Sequence, residues 1–255
     1  MKIARFLTDG GRIVVGRLSG DRVAQPLLGN LFGQLQFAAE SLRVERFLPP
    51  IEPPNIFAIG RNYRAHAAET GSQVPEQPLI FMKATTAVIG DGDFIRLPAA
   101  APDEVDFEAE LAIVIGRQAR CVSEDAALDH VLGYTCANDV SARDCQRADK
   151  QWTRAKSFDT FCPLGPWLVT ADELHPDGLA IRSRLNGQTM QDANTRDMLH
   201  SCRKLISHLS HQFTLRPGTV ILTGTPEGVG MARTPPVFLR PGDRIEIEVE
   251  GLGTL

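Results

Sequence analysis

No apolar run in this 255-residue sequence is long enough to cross a bilayer: the longest uninterrupted one, Leu111 to Ile115, has five residues, where a spanning helix needs about 20. Charge of one sign is lacking too. Lys plus Arg number 27 against 31 Asp plus Glu, giving a formal net charge of −4 and a pI near 5.9, which argues against a dedicated nucleic-acid binder. Cysteine is sparse and unpatterned. Cys121, Cys136, Cys145, Cys162 and Cys202 are odd in number and form no C-x-x-C pair, so neither a disulfide framework nor a zinc ribbon is suggested. Internal repeats and low-complexity tracts are absent. The opening Met1-Lys2-Ile3-Ala4-Arg5 soon meets Asp9, without the apolar core of a signal peptide. With 43% hydrophobic and 23% charged residues, the expectation is a soluble, cytoplasmic globular protein, one large domain or a large domain with a small appendage.

What is present reads as mainly β with some α. Residues 1 to about 48 predict a small β-rich unit, with the branched run Ile13-Val14-Val15 between the turn signals Gly10-Gly11 and Ser19-Gly20-Asp21. Within it, Leu35, Ala38, Ala39 and Leu42 have the spacing of a short helix over 31–45. Pro49-Pro50 and Pro53-Pro54 then mark a boundary, giving a small N-terminal domain over 1–50 and a main domain over 51–255. In the main domain, strands are predicted at 55–60, 110–116, 133–137, 166–169, 179–185, 219–223 and 245–249, and helices at 123–131 and 195–211.

Acids at Glu104, Asp106, Glu108 and Glu110 alternate at the strand period of two, which places them on one side of a strand. Such a run is ordinarily a solvated face. Here it leads straight into an all-apolar strand, where like charges repel unless a cation sits opposite. Asp139, just beyond the strand at 133–137, is either a third member of that cluster or a turn or N-cap residue. Three carboxylates without His or Cys favour a hard ion, Mg²⁺ or Mn²⁺ rather than zinc. Elsewhere, Asn62 is placed to cap a two-turn helix ending at Gly71, which would set His66 and Glu69 on one face, either as an oriented imidazole or as a surface pair. Lys156 lies among apolar residues, buried or snorkelling. The Thr223-Gly224-Thr225-Pro226-Glu227-Gly228 loop offers amides and hydroxyls but is no Walker loop. Cys145 is a minor nucleophile candidate with no assignable base.

In this order these segments resemble the fumarylacetoacetate hydrolase family. The carriers are Gly60-Arg61-Asn62-Tyr63 through His66 and Glu69, Asp106-Phe107-Glu108-Ala109-Glu110-Leu111, Asn138-Asp139-Val140-Ser141-Ala142-Arg143-Asp144, Ala155-Lys156-Ser157-Phe158-Asp159, and Leu222-Thr223-Gly224-Thr225-Pro226-Glu227-Gly228-Val229-Gly230. The first fifty residues resemble the small N-terminal domain of some bacterial members of the acylpyruvase and 2-hydroxyhepta-2,4-diene-1,7-dioate isomerase type. The resemblance implies a mixed β-sandwich roll, usually a homodimer, with Mg²⁺ or Mn²⁺ held by Glu108, Glu110 and Asp139. It implies that His66 and Glu69 form a dyad on a lid and that Lys156 stabilises developing negative charge. Arg61, Gln146 and Thr225 match substrate-contacting positions. The implied activity is on a small 2-oxo or 2-hydroxy-dienoic acid from aromatic or sugar-acid breakdown: C–C hydrolysis of an acylpyruvate-type substrate, decarboxylation or isomerisation. The rivals are a non-catalytic keto-acid-binding protein that keeps the fold, and a metal-free thiol hydrolase using Cys145.

Overall fold

Ala109–Ile115 is buried at every position, and its alternation explains the architecture. Ala109, Leu111, Ile113 and Ile115 enter one hydrophobic core while Ala112 and Val114 enter another, as the two faces of a strand must when both are covered. The computed structural model describes residues 1–255. In it the strand pairs antiparallel with Val131–Asn138 on one side and with Val220–Leu222 on the other. Beyond Val220–Leu222 the sheet continues through Ile56–Gly60, in parallel, to Leu79–Lys83 at its edge. On the far side it runs through Cys162–Thr170 to Lys2–Leu7.

The N-terminal segment therefore extends the same 13-stranded sheet, with Lys2 opposite Val169 and Ile3 opposite Leu168. A second, four-stranded antiparallel sheet contains Ala180–Leu185, Gln188–Asn194, Ile245–Val249 and Gly253–Thr254. Its Ile181, Ile247 and Val249 share a core with the helix Cys202–Gln212, which contributes Cys202, Leu205, Ile206 and Leu209. The result is a mainly β sandwich covered by a few short helices.

Three helical expectations are corrected. Residues 31–45 contain no helix. Gln36–Phe37 and Leu42–Arg43 instead pair with the Val23–Leu28 strand, whose open edge offers hydrogen bonds that outweigh a weak helical propensity. Over 123–131 the helix shrinks to the single 3₁₀ turn Ala127–His130, because Val131 is already committed to pairing with Ile115. The 195–211 helix begins only at Cys202, where the Ser201 hydroxyl caps it by accepting from the Lys204 N–H. Just upstream, the amides of Leu199 and His200 donate to the backbone and side-chain oxygens of Asn62.

Gly133 shows how tightly the central strands approach. A Cβ placed there would lie 2.2 Å from the carbonyl oxygen of Val169 on the neighbouring strand. Gly133→Ala is therefore expected to lower the unfolding free energy by about 1–3 kcal/mol or more, the cost of overpacking an unyielding site. Urea denaturation measures this, and an unchanged midpoint would contradict it.

Candidate active site

Glu108, Glu110 and Asp139 are all buried, and one carboxylate oxygen from each lies within 4.8 Å of the others. The strand register brings them together. Ala109 faces Asn138 and Glu110 faces Ala137, so a residue just before one strand meets a residue just after its neighbour. The Asp139 N–H donates to the Glu108 carbonyl at 2.9 Å, and the Asn138 side-chain oxygen accepts from the Glu108 N–H at 2.9 Å.

The alternating acids do not share one face. The chain breaks between Val105–Asp106, which pairs with Ser141–Ala142, and the strand that starts at Ala109. Asp106 turns away, accepting from the Gly230 and Met231 amides and from Arg143 Nε at 2.9 Å. Glu104 pairs with Arg147 near the surface.

Three buried cations answer these acids. Lys156 Nζ lies 2.7 Å from Glu108 Oε2 and 2.9 Å from Asp139 Oδ2; this lysine is buried rather than snorkelling. Lys83 Nζ is 2.5 Å from the other Asp139 oxygen and also donates to the Lys156 carbonyl. Arg143 reaches Glu108 Oε1 at 2.7 Å. Burial alone would raise the Glu108 carboxyl, but Lys156, then Arg143 and His66, outweigh it and hold it at about 2. Glu110 is the exception. It makes no ion pair within 4 Å, accepts a 2.6 Å hydrogen bond from the Gly224 N–H, and is pushed well above the usual carboxylate range by burial and then by Asp139 and Glu108. A buried, oxygen-only donor set that includes one acid lacking a positive partner suits a hard divalent cation such as Mg²⁺ or Mn²⁺.

His66 and Glu69 lie on the helix Arg64–Glu69, with His66 Nδ1 2.8 Å from Glu69 Oε1. The second Glu69 oxygen accepts from the Gly228 N–H at 2.8 Å. His66 is buried, so the pair is not a surface accident. Asn62 is not the helix cap: Tyr63 occupies that position without a side-chain bond. The Asn62 amide instead donates to the carbonyls of Thr223 and His200. The 224–231 segment thus acts as a strap, its amides holding Glu110, Glu69 and Asp106 in turn.

The remaining predicted residues sit around this centre in different ways. Gln146 accepts from Arg143 at 2.9 Å, Thr225 accepts from Gln191 at 2.8 Å, and Arg61 stacks over Trp152 at 5.6 Å. Cys145 is buried, and burial followed by the nearby Asp144 raises its thiol, which disfavours a thiolate nucleophile. Sequence reasoning missed Lys83, Arg143 and Asp106 as members of the network. Arg143 also has a buried Nη2 with no protein partner.

The Glu110 environment gives a pH-dependent expectation for the metal-free protein. Its folded carboxyl titrates higher than in the unfolded chain, so stability declines as pH rises from the ordinary carboxylate range through the raised one. Glu110→Gln should therefore raise the metal-free melting temperature by a few degrees at pH 8 and leave it nearly unchanged at pH 4. Thermal melts at the two pH values check this; an equal shift at both would contradict it.

Comparison with known proteins identifies the family. The family described as fumarylacetoacetate (FAA) hydrolase C-terminal matches residues 55–255, and the one described as Rv2993c-like, N-terminal matches residues 1–50. Among curated relatives, a Xenopus laevis protein named oxaloacetate tautomerase fahd2, mitochondrial, is 49% identical over 210 residues, which cover 81% of this chain and 66% of that one. Among solved structures, a Mycobacterium smegmatis protein titled 5-carboxymethyl-2-hydroxymuconate delta-isomerase superimposes with a TM-score of 0.88 at 44% identity, covering 100% of this chain and 97% of the other. A Mycobacterium marinum protein titled 2-hydroxyhepta-2,4-diene-1,7-dioate isomerase gives 0.87 at 40% identity, covering 100% and 96%. With its fold, its five motifs and a family match over most of its length, the chain belongs to the fumarylacetoacetate hydrolase family of enzymes.

Proposed function

We propose that this enzyme uses a divalent ion, Mg²⁺ or Mn²⁺, to interconvert the keto and enol forms, or shift the double bond, of a small 2-oxo diacid. The observation that carries this reading is the shared strap. The amide of Gly224 holds an acid of the oxygen-donor cluster, and that of Gly228 holds the carboxylate orienting His66. A proton-transfer pair and a candidate metal site are thus built on one backbone segment. The tautomerase and isomerase names of the relatives support the same chemistry, since both reactions move a proton at carbon next to a 2-oxo acid.

Glu108, Glu110 and Asp139 would hold the ion, which when bound supplies the Lewis acidity that makes a hydrogen beside a 2-oxo group easier to remove. The protein's own residues do the rest. Because Nδ1 of His66 is engaged by Glu69, its Nε2 is left to face a substrate carbon or oxygen. In the enol-to-keto direction the enol oxygen loses a proton as the neighbouring carbon gains one through His66. Lys156 and Arg143, already paired with the buried acids, would offset part of the negative charge that develops on the oxygen. The unpartnered Nη2 of Arg143 would be free to donate to a substrate carboxylate that reached it, and Gln146 accepts from Nη1 of the same guanidinium. All these residues lie within 51–255, the proposed catalytic domain.

The burial of His66 favours proton shuttling over reaction with bulk water. C–C hydrolysis or decarboxylation at the same centre would show as other products in the same assay. A pure binding protein has no use for an oriented, buried imidazole.

Two outcomes are expected. Replacing Glu108, Glu110 or Asp139 with Ala should abolish Mn²⁺ binding by calorimetry together with activity on oxaloacetate, a hydroxy-dienedioate or an acylpyruvate. Unchanged affinity in all three variants would remove the assignment. His66→Ala should lower kcat by about 10²–10⁴-fold, the usual weight of a general acid–base group, with Mn²⁺ affinity nearly intact. Turnover at the parental rate would rule out the role given to His66.

A further inference from the structure

Gln191 is fully buried on the four-stranded sheet, outside both the acidic cluster and the His66 helix, yet its carboxamide is engaged by both neighbourhoods. Its Oε1 accepts from the Ala109 N–H at 2.9 Å and from the Ser183 hydroxyl at 2.9 Å. Its Nε2 donates to the Thr225 hydroxyl and to the Pro226 carbonyl, each at 2.8 Å. The amide orientation is not arbitrary. A backbone N–H can only donate and a proline carbonyl can only accept, so oxygen must face Ala109 and nitrogen must face Pro226.

Ala109 is the residue between Glu108 and Glu110. The Glu108 N–H is taken by Asn138 and the Glu108 carbonyl by the Asp139 N–H, so the Ala109 N–H is the next backbone group along that must be fixed if both glutamates are to keep their aim. At its other end the carboxamide grips the strap midway between Gly224, which holds Glu110, and Gly228, which holds Glu69. The strap also lies hard against the Gln191 strand. A Cβ on Gly228, whose φ is +96°, would sit 2.3 Å from the Met190 carbonyl oxygen.

We propose that Gln191 is a positioning residue: it splices the strand end carrying Glu108 and Glu110 to the strap carrying the Glu69 anchor, so that the oxygen-donor geometry and the His66–Glu69 pair are set together. Its metal readout rests on the function proposed above; its backbone readout does not.

The test uses the full-length protein, with Gln191→Met as the variant of similar length and Ser183→Ala as the control that removes the bond made within the small sheet. In the metal-free wild-type protein, native-state hydrogen exchange should show the Ala109 and Gly228 amides opening together, with the same dependence on denaturant. In Gln191→Met, protection across 223–231 should fall by about tenfold or more. Mn²⁺ affinity should fall by about 10–100-fold, as when a partner behind the ligands is lost. The paramagnetic resonance spectrum of bound Mn²⁺ should also broaden. Ser183→Ala should match the wild type in all three.

Independent opening of Ala109 and Gly228 in the wild type overturns the proposal even if the Gln191→Met protein fails to fold. So does a Gln191→Met protein indistinguishable from Ser183→Ala. If the wild-type chain binds no Mn²⁺, the metal-dependent function falls while the exchange result still decides the role of Gln191.

Discussion

Four carboxylates buried within one region of the protein are the constraint from which the rest follows. Asp106, Glu108, Glu110 and Asp139 would repel one another and resist leaving water, so each must be answered. Lys83, Lys156 and Arg143 answer three of them at direct ion-pair distance. Glu110 receives only the Gly224 amide at close range, together with the more distant field of Lys156. The imbalance leaves the centre one positive partner short. A divalent ion would overshoot by one charge, and an acidic substrate would bring the total back towards neutrality. The same electrostatics that burden folding are those that a hard cation at this cluster, as proposed above, would relieve.

Backbone amides do much of the aiming. A glutamate on a β-strand has several rotatable bonds, and a metal or proton-transfer site needs those bonds fixed before substrate arrives. Here Asn138 and Gln191 hold the peptide groups on either side of Glu108, while the strap holds Glu69, Glu110 and Asp106 from the opposite side. The long sheet supplies register, and the small sheet supplies the side chain that clamps the strap.

Much of this was legible in the sequence, for identifiable reasons. The mainly apolar runs at 110–116 and 133–137 read as buried strands in the sequence, and the antiparallel pairing seen in the structure is what carries Asp139 to Glu108. Spacing and an apolar setting singled out His66, Glu69 and Lys156, and the resemblance supplied the roles expected of them. Lys83 was not legible because its partner Asp139 lies 56 residues away and nothing near Lys83 announces it. Arg143 lies within one of the family-like motifs but has no role legible there, since its partners Asp106 and Glu108 read in sequence as members of a single acidic strand face. That face is interrupted: buried Phe107 sits where the chain breaks, so Asp106 reaches the Gly230 and Met231 amides and Glu108 reaches Lys156, with the Arg143 guanidinium bridging the two acids. The failed helix over 31–45 is a different kind of error, a local pattern overruled by the vacant side of the Val23–Leu28 strand.

Because positions 224, 228, 230 and 231 of the strap work through their N–H groups, proline is barred from all four. The proline the segment does contain, Pro226, falls where a carbonyl is wanted and no amide hydrogen is used. Nor is there room for larger side chains at three of the four positions, since a Cβ would lie 2.7 Å from Asn62 at Gly224, 2.3 Å from Met190 at Gly228 and 1.9 Å from Val237 at Gly230. Sequence drift along the strap is therefore confined from both sides, by the amides it must present and by the walls it must pass.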